Sequence, residues 1–162
     1  MPYIQLSEES VGVKVLIFTE GTVLGPRNAL EHFSVSRYVP IGCCVSLIRL
    51  WQEQGADIQY ITSRKSRKAV QGVQALLERY GFAGSRLYFR ARGQQYHELV
   101  EQIRPDVLIE DDCRSIGGEN QMCVTHVAPE IRQTIHSISV PEFQGIDHLP
   151  ESLMELSEYS AR

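Results

Sequence analysis

No apolar run in this chain approaches the roughly 20 residues a helix needs to cross a bilayer, so a membrane is not an expected partner. Long basic tracts are missing too. The 16 Lys and Arg residues stand against 20 Asp and Glu, a net charge of -4, and no stripe of cations offers a footprint for a phosphate backbone. Nucleic acid is therefore not an expected partner either. Cysteine is sparse: Cys43, Cys44, Cys113 and Cys123 do not space out as a disulfide framework, which points to a reducing, cytoplasmic setting. Only Cys123-Val124-Thr125-His126 comes near zinc-ligand spacing, and no second tight pair completes it. Cys113 follows Asp112, whose charge would raise the thiol pKa and blunt it as a nucleophile. The start, Met1-Pro2-Tyr3-Ile4-Gln5, lacks the basic-then-apolar order of a signal peptide, so none is expected. Internal repeats and low-complexity segments are absent.

What is present fits one soluble domain. A length of 162 residues with 43% hydrophobic content can bury a proper core. A single domain is expected over 1–162, with 1–12 a polar lead-in and 141–162 an irregular tail ending in a helix. Short apolar runs bounded by turn chemistry predict strands at Val13–Phe18, Ile58–Thr62, Leu87–Phe89, Val107–Glu110 and Ile135–Val140. Between them the patterns predict helices at Ile41–Gln54, Arg67–Tyr80 and Gln95–Arg104, with Ser152–Tyr159 as a terminal helix. Residues 19–39 read as irregular, broken at Gly25-Pro26. Strands alternating with helices predict an α/β fold, a parallel sheet with helices on both faces.

In such sheets ligands bind beyond the carboxyl ends of the strands, near the point where strand order switches. Three strands end there in polar residues: Thr19-Glu20-Gly21-Thr22, Thr62-Ser63-Arg64 and Glu110-Asp111-Asp112. The three adjacent carboxylates repel one another unless solvent or a cation compensates, and hard oxygen ligands suit Mg²⁺. Alone, such a run is as readily a solvated turn; its place at the end of a core strand argues for the cation. Thr62 and Ser63 offer hydroxyls, and nearby backbone N–H groups could join them on a phosphate oxygen. Arg64, Lys65, Arg67 and Lys68 then load cations onto a helix start, where a bound anion would offset their unfavourable placement. The other reading is a solvated basic loop with Thr62 or Ser63 as N-cap. Arg90 or Arg92, after the third strand, could neutralise a phosphate or a carboxylate cluster.

The apolar strand running into Phe18-Thr19-Glu20-Gly21-Thr22 resembles the first motif of the haloacid dehalogenase (HAD) superfamily, an apolar strand followed by Asp-x-Asp-Gly-Thr. Thr62 resembles the family's hydroxyl motif, Arg90 its cationic residue, and Asp111 with Asp112 its metal-binding acidic motif. Four weak matches in order, over roughly residues 13–115, make a stronger joint signal. The resemblance implies a Rossmann-like HAD-type sheet, a Mg²⁺ site, descent from phosphoryl-transfer enzymes and a minimal or absent cap. It assigns catalysis to Glu20 and Asp111, metal binding to Glu20, Asp111 and Asp112, and substrate binding to Thr62, Ser63, Arg90, Gly21 and Thr22. The departures cut against catalysis. Phe18 stands where the nucleophilic aspartate belongs and cannot form an acyl phosphate. Glu20 keeps a carboxylate, one methylene longer, at the acid/base position. Two readings follow: a Mg²⁺-dependent hydrolase of a small phosphorylated compound with altered chemistry, or a HAD-like domain that binds phosphate or metal, or regulates, without cleaving.

Overall fold

The computed structural model describes residues 12–161, so all but the end of the expected polar lead-in lies outside it. Five strands, β1 (Lys14–Phe18), β4 (Asp57–Ile61), β5 (Arg86–Tyr88), β6 (Val107–Asp111) and β7 (His136–Val140), form one sheet in the order β5-β4-β1-β6-β7. Every pairing in it is parallel. The chain moves outward from β1 through β4 to β5, then returns to the other side of β1 for β6 and β7. The order therefore switches at β1, and the loops after β1 and β6 part around a crevice there.

Strand alternation divides the core into two layers. Val15, Ile17, Ile58, Tyr60, Val107 and Ile109 pack on one face against α1 (Cys44–Glu53) and α2 (Arg67–Arg79). Leu16, Ile61 and Leu108 pack on the other against α3 (Tyr96–Ile103) and the one-turn α4 (Cys123–His126). A second single turn, α5 (Pro129–Arg132), follows. Helices on both faces of a parallel sheet are what the alternating pattern predicts.

The boundaries differ where local chemistry intervenes. The first helix was expected from Ile41 but starts at Cys44, because Gly42 turns with φ +59° and the Asp147 carboxylate accepts the Cys43 N–H at 2.9 Å. Ser66, not Thr62 or Ser63, caps α2, accepting the Ala69 N–H at 3.2 Å. The fourth strand runs one residue further than expected, through Asp111. The terminal helix shrinks to one turn, α6 (Leu153–Leu156), with Ser152 as its cap. The stretch read as irregular over 19–39 holds a two-residue ribbon, β2 (Leu24–Gly25) against β3 (Val39–Pro40), and two short 3-10 turns.

The tail packs back on the sheet: Ile146, Leu149, Leu153 and Leu156 are buried in the first layer. Trp51 anchors it, fully buried on α1 with its indole N–H donating to the Pro150 carbonyl at 2.9 Å. Trp51→Phe leaves that carbonyl without its donor. Urea unfolding should register a loss of about 1–3 kcal/mol with an unchanged slope; parent-like stability would mean that the tail is held elsewhere.

Candidate ligand site at the carboxyl edge of the sheet

The loop after β1 is wound tightly. The Thr19 carbonyl accepts the N–H groups of Val23 and Leu24 at 3.0 and 2.9 Å. Gly21 has φ +84°, and a Cβ there would meet the Asp111 carboxylate at 3.0 Å. Only glycine suits both the backbone and the close approach. This contact is where the ends of β1 and β6 meet across the switch point. Thr22, expected to touch substrate, is fully buried instead and donates its hydroxyl to Asp111 at 3.2 Å. Its role is to position that carboxylate, because the tight turn swings it inward.

Glu20 leaves the loop in the opposite direction, toward the end of β4. Its carboxylate accepts the Thr62 hydroxyl at 2.5 Å, the Thr19 hydroxyl at 2.6 Å and the Ser63 N–H at 3.1 Å. The Arg64 guanidinium lies 3.8 Å away. Thr62 in turn accepts the Arg64 N–H at 3.1 Å, and Ser63 Oγ accepts the Arg64 side chain at 3.2 Å. The structure thus brings Glu20, Thr62 and Ser63 together, but with Glu20 as the anion that the other two hold.

The acidic run is split by the pleat. Asp111 accepts the Thr22 hydroxyl and the Cys113 N–H. Burial raises its pKa, the Cys113 N–H opposes this, and the charge of Glu142 adds to the rise. Asp112 turns to the β7 side and accepts the N–H groups of Arg114 and Glu142, both at 3.2 Å. Oxygens of Asp111, Asp112 and Glu142 lie within 4.8 Å of one another. These are hard donors, each also fixed by N–H or O–H groups, and the set fits Mg²⁺. Glu20, expected among the metal ligands, is not in this group; its longer side chain carries its charge to β4. Glu142, two residues past β7, takes its place and was not anticipated. A carboxylate just beyond a core strand was the available signal.

Glu110 points to the other face. It is 2% exposed, and among the described residues neither carboxylate oxygen makes a well-formed hydrogen bond. Burial pushes its pKa up to about 8; the amides of Cys123 and Val124 offset part of that rise, and the charge of Asp111 adds to it.

Phe18 sits at the end of β1 with its ring edge-on to Tyr96, centroids 5.5 Å apart. Arg90 lies over the Tyr96 ring at 3.7 Å. Arg90 was expected to face the phosphate, but it lines a different cavity, with Lys65 and Arg92. Stacking on Tyr96 holds it behind the aromatic wall, and Arg64 is the guanidinium that reaches the site. Cys113, which borders the site, has its thiol pushed up to about 12, first by burial and then by Asp111 rather than by Asp112. Among the described residues no cluster of Cys and His stands where a metal could be held.

These elements enclose a cavity of about 370 Å³. Its lining includes Phe18, Glu20, Tyr38, Arg64, Tyr96, Glu110, Asp111, Glu142 and Phe143. The short segment after the β1 loop supplies His32, Phe33, Val35 and Tyr38, a cover of a few residues in place of a cap domain.

No family model matches the chain, and no curated protein matches it. Solved structures do. A chain of the Pnkp1/Rnl/Hen1 RNA repair complex aligns with a TM-score of 0.58 at 14% identity, over 83% of this chain and 44% of that one. A class C acid phosphatase from Bacillus anthracis, solved with tungstate bound, aligns at 0.56 and 14%, over 86% of this chain and 71% of that one. This chain spans about half the length of the repair-complex chains it matches, 44% and 52%. The architecture is the HAD-like Rossmann-type fold. Among the described residues no helix is long and apolar enough to cross a membrane.

The buried Glu110 carboxyl makes stability depend on pH. Its ordinary pKa is 4.5 and the folded value about 8, so the unfolded chain releases this proton first as pH rises. The fold loses stability across that window and levels off above it. Glu110→Gln lacks the proton, so in chelator-treated protein its stability relative to the parent should grow between those two pH values. Parallel stability curves would mean that the carboxyl ionises normally in the fold.

Proposed function

We propose that this chain is a HAD-type domain that binds a small ligand over the carboxyl edge of its sheet and does not cleave phosphate esters through a covalent enzyme intermediate. One observation carries the reading: the Glu20 carboxylate occupies the hydroxyls and the N–H that a phosphate would need. A phosphate entering there would meet a fixed negative charge within hydrogen-bond range. Phe18 supports the same conclusion, because an aromatic ring cannot attack phosphorus.

A divalent cation belongs to this reading as a ligand of Asp111, Asp112 and Glu142, whose oxygens stand close enough to share one. When bound, Mg²⁺ would supply charge neutralisation and Lewis acidity at that edge. The same carboxylates favour the second reading, a Mg²⁺-dependent hydrolase of a small phosphorylated compound in which Glu20 is acid/base, Asp111 is catalytic and Arg64 holds the anion.

A phosphatase screen with Mg²⁺, over a chromogenic ester and a metabolite panel, separates the two. The expected result is no turnover by folded protein. Turnover abolished in Asp111→Asn would establish the hydrolase. Orthophosphate titration adds a second readout. Glu20→Ala vacates the cradle and should raise orthophosphate affinity by about tenfold or more, since charge-assisted hydrogen bonds then go to the ligand. Tight orthophosphate binding by the parent, unchanged in the variant, would sink the self-filled cradle.

A further inference from the structure

With Glu20 neutralising Arg64, the remaining character of the cavity is acidic and aromatic. Two edge-to-face aromatic pairs border it from opposite faces of the sheet. Phe18 and Tyr96 belong to the α3 layer, with centroids 5.5 Å apart. Tyr38 and Phe143 belong to the α1 layer, with centroids 6.5 Å apart. Among the described residues the titratable acids and bases of the lining are four carboxyl groups, one guanidinium and the His32 imidazole, and that guanidinium already lies beside one of the carboxylates. An anionic ligand would meet Glu110, Asp111 and Glu142, and among the described residues the one guanidinium of the lining is already engaged.

Glu110 supplies the independent sign of a ligand. It is 2% exposed and borders the cavity, and among the described residues neither oxygen makes a well-formed hydrogen bond, the Cys123 and Val124 amides only easing its burial. Buried polar groups are nearly always paired, and each exception calls for an explanation. It is also distinct from the Asp111, Asp112 and Glu142 group, so a metal held there would leave it unpartnered. The Tyr96 ring already accepts one cation of the chain itself, the Arg90 guanidinium at 3.7 Å.

We infer that this cavity binds a small organic cation, a protonated amine, with the four aromatic rings as its walls and the Glu110 carboxylate as its counter-ion. The inference rests on the binding-domain reading, because a cradle free to take phosphate would leave Arg64 available to anions. Rings of this kind favour a cation through their quadrupole, the more so where water is excluded. The volume suits one ring with a short charged arm rather than a polymer. The nine-tenths-buried carboxyl would be reached by the ammonium end, and the aromatic pairs would hold the remainder.

The test uses the whole chain and three probes of matched size: benzylammonium, benzyl alcohol and benzoate. Affinities are read by calorimetry at constant ionic strength, with chelator and again with Mg²⁺. Benzylammonium should bind about tenfold more tightly than benzyl alcohol, with benzoate weakest, in both conditions. Glu110→Gln should abolish the preference for the cation while leaving the alcohol unchanged. Phe143→Leu, which keeps bulk and removes a π face, should weaken the cation several-fold and serves if the Glu110 variant does not fold. Benzoate binding as tightly as the amine would overturn the inference, as would a cation preference indifferent to both variants. Phosphatase turnover is scored separately: an amine preference alongside turnover removes only the binding-domain reading, and a benzoate preference without turnover removes only this one.

Discussion

The Glu20 carboxylate is gripped by two hydroxyls and a backbone N–H, with a guanidinium alongside, and the organisation of the sheet edge follows from that grip. It ties the loop after β1 to the loop after β4. It spends the donors of Thr62 and Ser63 and the charge of Arg64. It also takes one negative charge away from Asp111, which would otherwise share the crevice with it at close range. The opposite side of the same loop is then free to wind around Gly21 and meet Asp111 directly. Side-chain length decides the outcome. An aspartate at position 20 would hold its carboxylate about 1.5 Å nearer the backbone, one carbon–carbon bond, and the same set of donors would be out of reach.

The larger features of the fold were legible because they depend on period and punctuation. The strands that pair around β1 are short apolar runs, and the helices between them carry one apolar face, so the sequence states both layers. The ends of elements were less legible because distant residues set them. Asp147 holds the start of α1 from across the chain, and no local pattern at Cys43 announces it. The site was legible as a location and less so as an arrangement. Thr62, Ser63, Glu20 and Asp111 do border one edge, but their pairing depends on rotamers and reach. The acidic run illustrates the limit. Read along the chain it is one cluster; on the pleat, Glu110 faces α4, Asp111 faces Gly21 and Asp112 faces the end of β7. Glu142 offered only its place just beyond a core strand, because its partner Ser115 lies 27 residues away. Arg90 does not reach the site because Tyr96, at the start of α3, captures it, while Arg64 does reach it.

Phe18 also shapes one wall of the cavity. A carboxylate there would face the α3 layer, close to the end of the strand that carries Glu110, with apolar Tyr96 beside it. The aromatic ring instead extends that layer toward the edge of the sheet and joins the Tyr96–Arg90 stack. The aromatic ring at the end of β1 therefore builds an apolar wall. It does so on the side of the cavity where, among the described residues, Glu110 makes no well-formed hydrogen bond.

A carboxyl with no well-formed hydrogen bond among the described residues, at the end of a core strand, is costly to fold. An uncompensated polar group in such a place costs about 1–3 kcal/mol by mutational measure, and adopting the neutral form lessens the penalty without removing it. An apolar residue of similar size would pack between Leu108 and α4 without that loss. Stability therefore gives no reason for a glutamate at this position, and neither does the group of carboxylates across the strand, which Glu110 does not join. The cost becomes intelligible if the group completes its hydrogen bonds only when something enters the cavity. Sites that violate the rules of good packing are where function is expected to reside, and here the violation borders an aromatic cavity with charge of one sign left over.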